Sequence, residues 1–388
     1  MPEVKPDIVI FGAGIAGLWL FHHLKRKNFD VLLLEKYSIG GEQSIASQGI
    51  IHSGLKYCLA GKVNKLAQTI SEMPQIWRNA LEGQASVDLS KATINAQSQD
   101  LLIPKGILGD LVKLATKKAL GDSVHDVKKE DWPESIKFSG FNGSIVAMNE
   151  LVLDIPSVVR ALADPYKDSI KKLPKAFADK PFEFLRDHNI TPKRIIFTAA
   201  RSNLEIAKHH GHNDGLETQH RPLLQIMMKN APFELYAHLV GKSDKPVATV
   251  TTHKTSDGSL VWYLGGLAAE KQKDYPSDKA IAEAKESLLR YMPDIDLSDA
   301  EWATLPIDRV EGKSRTNNWL PDTPTIHKCD DALYAWPTKL TFSPMLADMV
   351  EKILNEEQIV ASSNTGDFGF LQDVDYAKTP WDKAQWKK

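Results

Sequence analysis

The chain has 388 residues, of which 42% are hydrophobic and 25% are charged, as in a globular protein long enough for two domains. Its 48 lysines and arginines nearly balance its 50 aspartates and glutamates, and the formal net charge of −2 excludes a strong general attraction to nucleic acid. Two cysteines exclude a disulfide framework and a cysteine-rich metal site. No stretch reaches the roughly 18 apolar residues of a membrane span. We therefore expect a cytoplasmic protein with no transmembrane segment, no metal site and no nucleic-acid partner.

The first forty residues predict a strand, a glycine turn, a helix and a second strand. Residues 8–11 form an apolar run typical of a strand buried on both faces. The glycine-rich residues 12–17 follow, and apolar residues then recur at helical spacing to about Lys27. A second apolar run at 31–34 ends in Glu35, which completes a β-α-β unit.

The three glycines of this turn have the spacing of a dinucleotide fingerprint. Gly12 permits the sharp turn, Gly14 lets the backbone approach a pyrophosphate, and Gly17 lets the helix pack closely on its strand. Glu35 lies near the spacing of about 20 residues at which a carboxylate binds ribose hydroxyls. A carboxylate there would repel a 2′-phosphate, which argues against NADP. The pattern therefore predicts a dinucleotide site.

The middle of the chain predicts an antiparallel sheet. Apolar residues alternate over 233–240, and β-rich segments at 247–252 and 260–264 are separated by a turn at 256–258. Such a sheet buries one face and leaves the other free to cover a substrate. An amphipathic helix is predicted over 277–292.

Two further apolar runs predict that the nucleotide domain is assembled from separated stretches of chain. Residues 195–200 and 333–336 are typical of core strands. A helix is expected over 343–353. The last 25 or so residues are more polar, and we expect them to wrap the surface or fray.

Segments near both ends resemble one enzyme superfamily. The small-residue segment at 40–57, with Ile51-His52-Ser53-Gly54 at its centre, is similar to the flavin cradle of the D-amino-acid oxidase superfamily of FAD enzymes. Residues 321–326 and 334–344 are similar to its closing block, which includes Lys339-Leu340-Thr341. These motifs most resemble the branch that contains FAD-dependent glycerol-3-phosphate dehydrogenase and L-2-hydroxyglutarate oxidase.

The resemblance implies the fold class and the cofactor. It implies an α/β FAD-binding Rossmann-like domain of the glutathione-reductase type, with an interleaved antiparallel-sheet α+β substrate domain. The FAD domain would comprise residues 1–80, 145–205 and 325–388, and the substrate domain residues 81–144 and 206–324. The residues expected to hold FAD are Gly12, Gly14, Ile15, Ala16, Gly17, Glu35, Lys36, Ser44, Ser47, Gln48, Gly49, Ile51, His52, Lys339, Leu340 and Thr341.

Three residues are the candidates for catalysis. Lys339 precedes a helix start and would stabilise negative charge on the reduced flavin. Arg315 would clamp a carboxylate or phosphate, or else form an ion pair between domains. His52 would contact the cofactor or act as a base on a substrate hydroxyl.

Other residues in the chain have two interpretations each. In the expected roof sheet, His220, His238, His253 and Tyr263 would either reach substrate or pack within the sheet. Cys58 follows the flavin cradle, where it would be a covalent flavin tether or, more commonly for such a residue, a buried structural cysteine.

The chain departs from the superfamily pattern in two places. After the strand that ends in Thr198-Ala199-Ala200, this chain has Arg201-Ser202-Asn203 where superfamily members usually have a glycine. Ala335-Trp336-Pro337 replaces a glycine-rich approach to the closing loop. Substrate and oxygen reactivity are therefore not carried over from the superfamily.

The expected function is transfer of a hydride from a C–H bond next to a hydroxyl or amine in a small anionic substrate. A 2-hydroxy acid or polyol phosphate is favoured over an amino acid or secondary amine. The alternative of another class is an FAD-binding protein that acts in partner assembly without catalysis. The electron acceptor stays open between oxygen, a quinone and another protein.

Overall fold

Three sheets organise the part of the chain that the structure describes. The computed structural model describes residues 3–53, 65–106, 124–243, 245–270, 273–313, 323–362 and 366–388. In chain order the strands are β1 (Ile8–Phe11), β2 (Val31–Glu35), β3 (Ile50–Ile51), β4 (Ile94–Ala96), β5 (Gln99–Pro104), β6 (Val124–Val127), β7 (Gly143–Met148), β8 (Leu151–Leu153), β9 (Ile170–Lys172), β10 (Arg194–Phe197), β11 (Thr218–Lys229), β12 (Ala237–Leu239), β13 (Ala248–Lys254), β14 (Leu260–Gly265), β15 (Glu301–Gly312), β16 (Thr325–Cys329) and β17 (Ala332–Trp336).

Helices cover the faces of these sheets. In chain order the α-helices are α1 (Ile15–Arg26), α2 (Lys65–Leu81), α3 (Glu134–Phe138), α4 (Ile155–Ala163), α5 (Pro181–Asp187), α6 (Ser202–His209), α7 (Leu267–Glu270), α8 (Ser277–Tyr291), α9 (Ser343–Glu356) and α10 (Pro380–Lys383). Within the described ranges, no helix combines the length and the apolar character needed to cross a membrane.

A six-stranded sheet forms the nucleotide-binding half, in the order β16-β17-β10-β1-β2-β9. β1 pairs in parallel with β2 and with β10, and β10 pairs in parallel with β17, while β16 is an antiparallel edge strand. Every residue of β1 is buried, because helices cover both faces of the sheet. The predicted β-α-β unit is confirmed, and the strands of this sheet come from separate stretches of the chain.

An eight-stranded sheet forms the roof, in the order β15-β11-β14-β13-β12-β5-β7-β6. β11 and β15 pair antiparallel along their whole length, from Thr218 opposite Gly312 to Lys229 opposite Glu301. α8 buries its apolar face against one side of this sheet. The predicted strand over 233–240 is wrong for its first half. Leu235 instead exchanges two hydrogen bonds with the Thr252 hydroxyl, outside the ladder.

The domain boundary expected between residues 144 and 145 falls inside a strand. β7 pairs with β5 and β6 in the roof sheet, so residues 145–148 lie with the roof. These residues form an apolar run like that of a core strand in the parallel sheet. Only the strand pairing shows that they belong to the roof sheet. In contrast, β4 pairs with β8 in a three-stranded sheet with β3, away from the roof. The remaining boundaries stay predictions.

The C-terminal segment at 366–388 links the two large sheets. The Ala377 N–H donates to the Ile39 carbonyl oxygen at 2.9 Å, and Lys387 forms an antiparallel bridge with Trp302. Trp381 is 5% exposed, and its ring stacks on His253 with the centroids 4.5 Å apart. Of the two alternatives, fraying is therefore wrong for these residues, because a buried tryptophan anchors the polar residues around it.

We expect Trp381→Ala to lower the free energy of unfolding by about 3 kcal/mol, since it empties a buried aromatic site. Urea denaturation followed by circular dichroism measures this change. Phe138→Ala is the matched control, because Phe138 is 77% exposed and its loss should change stability by less than about 0.5 kcal/mol. Equal effects of the two substitutions would contradict the anchoring role of Trp381.

Candidate active site

The glycine turn between β1 and α1 has the geometry of a phosphate-binding loop. Gly12 has a φ of 105°, and a Cβ on Gly17 would lie 1.9 Å from the Gly12 carbonyl oxygen, so neither position accepts a side chain. A Cβ on Gly14 would meet only the Ser44 hydroxyl, at 3.2 Å. The backbone at Gly14 therefore faces open space at the N-terminus of α1, where an anion is stabilised.

Glu35 ends β2 beside this turn. Its carboxylate accepts hydrogen bonds from the backbone N–H groups of Ala13 and Tyr37, both at 2.7 Å. Burial raises the pKa of Glu35, and the two N–H groups and nearby lysines oppose that rise. A carboxylate held next to the glycine turn is suited to accept ribose hydroxyl groups.

A cavity of about 1280 Å³ runs from the glycine turn to the underside of the roof sheet. Of the predicted cofactor residues, all except Gly17 and Ile51 line it. Gly17 packs against the turn itself, and Ile51 is buried where β3 pairs with β8. The structure thus brings residues from both ends of the chain around one space.

Gln48 lines the cavity and also contacts the roof sheet. Its amide nitrogen lies 3.0 Å from the Thr249 carbonyl oxygen and 2.8 Å from that of Tyr263, both in the roof sheet. Its side-chain oxygen lies 2.1 Å from where a Cβ of residue 265 would be, so Gly265 is required for this approach. Gln48 therefore fastens the cradle to the roof.

The closing loop after β17 is held in an unusual backbone conformation. Thr338 has a φ of 62°, in a region that β-branched residues in particular avoid, and Ala200 after β10 has a φ of 49°. The Trp336 indole N–H donates to the Ala200 carbonyl oxygen at 3.0 Å. The two departures from the superfamily pattern thus contact each other. The loop then presents Lys339 and Thr341 to the cavity.

His52 belongs to a cluster that also contains Glu150 and His238. Glu150 is fully buried, and its Oε2 lies 3.4 Å from His52 Nδ1 and 3.4 Å from His238 Nε2. Its Oε1 accepts hydrogen bonds from the Ser53 N–H and hydroxyl, at 2.8 and 2.9 Å. Burial raises the pKa of Glu150, but the hydrogen bonds from His238 and His52 outweigh burial and bring the pKa below its usual value. All three line the cavity.

Sequence reasoning missed Glu150, because a single glutamate in the turn between β7 and β8 belongs to no motif. It included His238 only as one of several roof residues. The signal that was available is the apolar setting of Glu150, between Met148 and Leu151, where an acid needs buried partners.

A second polar cluster lies on the roof where β11 and β15 pair. Arg221 lies 3.0 Å from Glu311 and 3.8 Å from Glu270, and Arg309 lies 3.6 Å from Glu270. Lys245 also pairs with Glu270. Burial raises the pKa of Glu270, and these cations outweigh burial and lower it. The Nε atom of Arg309 is buried without a hydrogen-bond partner among the described residues.

The other candidate residues from the sequence lie outside these two clusters. His220 is exposed and pairs with Asp308 at 2.6 Å. His253 is buried under Trp381, and burial lowers its pKa to about 3, so it stays neutral. The Tyr263 hydroxyl donates to the Ala46 carbonyl oxygen at 2.8 Å. Two candidates, Arg315 and Cys58, lie outside the described residues.

The residues present fit a flavin dinucleotide. The open cradle at Gly14, the carboxylate at the end of β2 and the long cavity match its phosphate, ribose and ring parts. The chain is 37% identical over 378 residues to the probable FAD-dependent oxidoreductase PA4991 of Pseudomonas aeruginosa, covering 94% of this chain and 95% of that protein. Residues 7–167 match the profile of the DAO family, described as FAD dependent oxidoreductase. The chain belongs to this family.

Solved structures agree with this assignment. The crystal structure of PA4991 matches this oxidoreductase with a TM-score of 0.81 and 32% identity, over 98% of this chain and 99% of that chain. Glycine oxidase from Geobacillus kaustophilus matches with a TM-score of 0.62 and 14% identity, over 94% of this chain and 100% of that chain. The L-α-glycerophosphate oxidase of Mycoplasma pneumoniae with FAD bound matches with a TM-score of 0.63 and 13% identity, over 96% of this chain and 99% of that chain. The last two share the fold alone.

The predicted fold class and the predicted FAD cofactor are therefore confirmed, and the protein is an oxidoreductase. The individual cofactor and catalytic residues stay predictions, as does the branch within the superfamily.

Gly14→Ala tests the cradle. We expect the dissociation constant for FAD to rise at least about tenfold, because the new methyl group would occupy the space that the pyrophosphate needs. Titration of FAD into apoprotein, followed by flavin fluorescence, measures it. Gly369→Ala is the control, since its Cβ would meet only the Asp367 side chain. Equal FAD affinity in the two variants would remove Gly14 from the site.

Proposed function

We propose that this oxidoreductase takes a hydride from a C–H bond next to a hydroxyl or an amine of a small anionic substrate. Hydroxy acids and polyol phosphates are favoured, as the motifs at 51–54 and 339–341 suggest. The observation that supports the proposal is a continuous cavity that joins the glycine turn to a charged roof. Bound FAD supplies the hydride-accepting chemistry. The chain's own residues bind the substrate charge and balance the charge that the reaction produces.

The charge of the cavity favours an anion. Among the described residues that line it, ten lysines and arginines face six aspartates and glutamates, although the whole chain has a net charge of −2. The pyrophosphate of the cofactor neutralises two positive charges. The remaining excess attracts a carboxylate or phosphate into the space under the roof.

Arg221 and Arg309 are the best-placed groups to hold that anion. Arg221 binds Glu311 through Nη1 at 3.0 Å. Its Nη2 and the Nη2 of Arg309 lie 3.8 and 3.6 Å from Glu270, longer than hydrogen bonds. An incoming carboxylate or phosphate can therefore compete with Glu270 for these two nitrogens. The planar fork of an arginine binds such an anion through two N–H groups. We propose for these two arginines the anion-binding role that the sequence predicts for Arg315.

Lys339 is proposed to balance negative charge in the cavity during the reaction. It lines the cavity on the closing loop, directly before the short helical turn at Leu340–Phe342 that leads into α9. A positive side chain and a helix N-terminus near one another both stabilise developing negative charge.

A substrate screen tests the proposed function. Under anaerobic conditions, mixing the holoenzyme with 2-hydroxy acids, polyol phosphates, amino acids and secondary amines should bleach the flavin absorbance for at least one anionic compound. Uncharged analogues, such as the amide of the same acid, should reduce it far more slowly. If no compound bleaches the flavin, the non-catalytic, partner-assembly alternative is favoured.

Lys339→Met should slow flavin reduction by the best substrate by about tenfold or more, since it removes one positive charge from the reaction site. Stopped-flow absorbance under anaerobic conditions measures the rate. Lys352→Met is the control, because Lys352 lies on the exposed side of α9. An unchanged reduction rate in Lys339→Met would remove this residue from the mechanism.

A further inference from the structure

We propose that His52, Glu150 and His238 form a proton-accepting cluster, and that the substrate is therefore an alcohol, oxidised at a carbon that carries a hydroxyl group. This inference rests on the proposed function and specifies its substrate class. His52 is the catalytic residue of the cluster, and Glu150 and His238 are positioning residues.

The geometry of the cluster points outward to the cavity. Glu150 Oε2 faces His52 Nδ1, which leaves Nε2 as the ring nitrogen available for a ligand. The His52 side chain is 46% exposed, whereas those of Glu150 and His238 are 1% and 5% exposed. A buried carboxylate thus orients a ring that reaches into the open space.

The cluster is placed beside the cofactor loop. The His52 backbone N–H lies 3.4 Å from the Thr341 hydroxyl oxygen, and Thr341 follows Lys339 on the closing loop. From the roof, His238 Nδ1 lies 2.8 Å from Thr249 Oγ1, which fixes that ring as well. The cluster therefore spans the cavity from the cradle to the roof. On the closing loop beside His52, the described residue with a charged side chain that lines the cavity is Lys339.

The partners of Glu150 suit proton transfer more than stability. A fully buried carboxylate is costly unless it is paired, and structural sites commonly pair it with arginine or lysine. Glu150 is paired instead with two histidines, the side chains that gain and lose protons near neutral pH. Its second oxygen is satisfied by Ser53, so the negative charge stays available to an imidazolium.

This arrangement distinguishes an alcohol from an amine. A hydroxyl group keeps its proton at physiological pH, so loss of a hydride from its carbon requires an acceptor for that proton. An amine can lose its proton to solvent before the hydride leaves, and it needs no such acceptor. A built proton acceptor in the cavity therefore favours the hydroxyl substrate.

The reaction balances as follows. The C–H bond of the carbinol carbon breaks, and its two electrons leave with the hydride to FAD. The O–H proton passes to His52 Nε2, and the C–O bond becomes a carbonyl. The substrate is oxidised by two electrons and the flavin is reduced by two. The imidazolium that forms is stabilised by Glu150 and returns its proton to water in the cavity.

The test compares each hydroxy acid with the amino acid of the same carbon skeleton, in wild-type holoenzyme and in Glu150→Gln. We expect a hydroxy acid to reduce the flavin faster than its amino counterpart. Glu150→Gln should lower the limiting reduction rate about a hundredfold, with little change in the substrate concentration at half-maximal rate. Reduction by dithionite, which needs no proton acceptor, should stay unchanged. Glu286→Gln, on the exposed face of α8, is the matched control.

A second readout is independent of turnover. In ¹⁵N-histidine NMR of the holoenzyme, the ring N–H resonances of His52 and His238 should shift in Glu150→Gln and not in Glu286→Gln. If Glu150→Gln fails to fold, Ser53→Ala keeps the carboxylate and the backbone N–H donor but removes the hydroxyl donor, and it should slow reduction about tenfold.

The outcomes separate the two proposals. Three results would each overturn the cluster and leave the proposed function standing. A hydroxy acid could reduce the flavin at the same rate in wild type and Glu150→Gln, the histidine ring resonances could stay unmoved, or the amino acid could reduce the flavin faster than the hydroxy acid. Failure of every compound to reduce the flavin would overturn both.

Discussion

Hydrogen bonds from one side chain hold the roof sheet against the segment that carries the cofactor residues. The Gln48 amide reaches the Thr249 and Tyr263 carbonyl oxygens, and the absence of a side chain at Gly265 makes room for it. These bonds cross from the cradle segment to the roof sheet beside the cavity. In the same region the His238 ring of the roof lies 6.5 Å from the His52 ring of the cradle. Together with the Tyr263 hydroxyl, which donates to the Ala46 carbonyl oxygen, the Gln48 bonds hold the two sides of the cavity together.

The cavity is a product of interleaved chain segments. Its floor comes from the first fifty residues and the closing loop, its roof from β11 to β15, and part of its wall from the C-terminal segment. The cations and acids of the floor and roof nearly balance, whereas the C-terminal segment contributes lysines and no acid to the lining. A chain with a net charge close to zero thereby encloses a positive space, which no property of its overall composition reveals.

Particular residues show how far the sequence predicts the site. Gly12, Gly14 and Glu35 were identified because the phosphate loop requires a fixed order of strand, turn and helix, and this order is local in the chain. The motif predicts that Gln48 contacts the cofactor, and its hydrogen bonds to the roof are a second feature that the motif does not reveal. Glu150 and Arg309 belong to no motif. The histidine partners of Glu150 lie 88 and 98 residues away along the chain, and Glu270, the partner of Arg309, lies 39 residues away. Such pairs become visible only when strands from different segments are in register.

The sequence by itself determined the β-α-β unit, the type of cofactor and the return of the C-terminal strands to the first sheet, since buried strands, glycine turns and acid spacing are encoded in short runs. Only the tertiary structure decided which side chains face the cavity. A strand alternates its side chains between two faces, so which face of β7, β11 or β15 is turned inward depends on pairing and packing over the whole fold. The His52, Glu150 and His238 cluster exists because three separate segments meet at one point, and that meeting is a property of the folded chain.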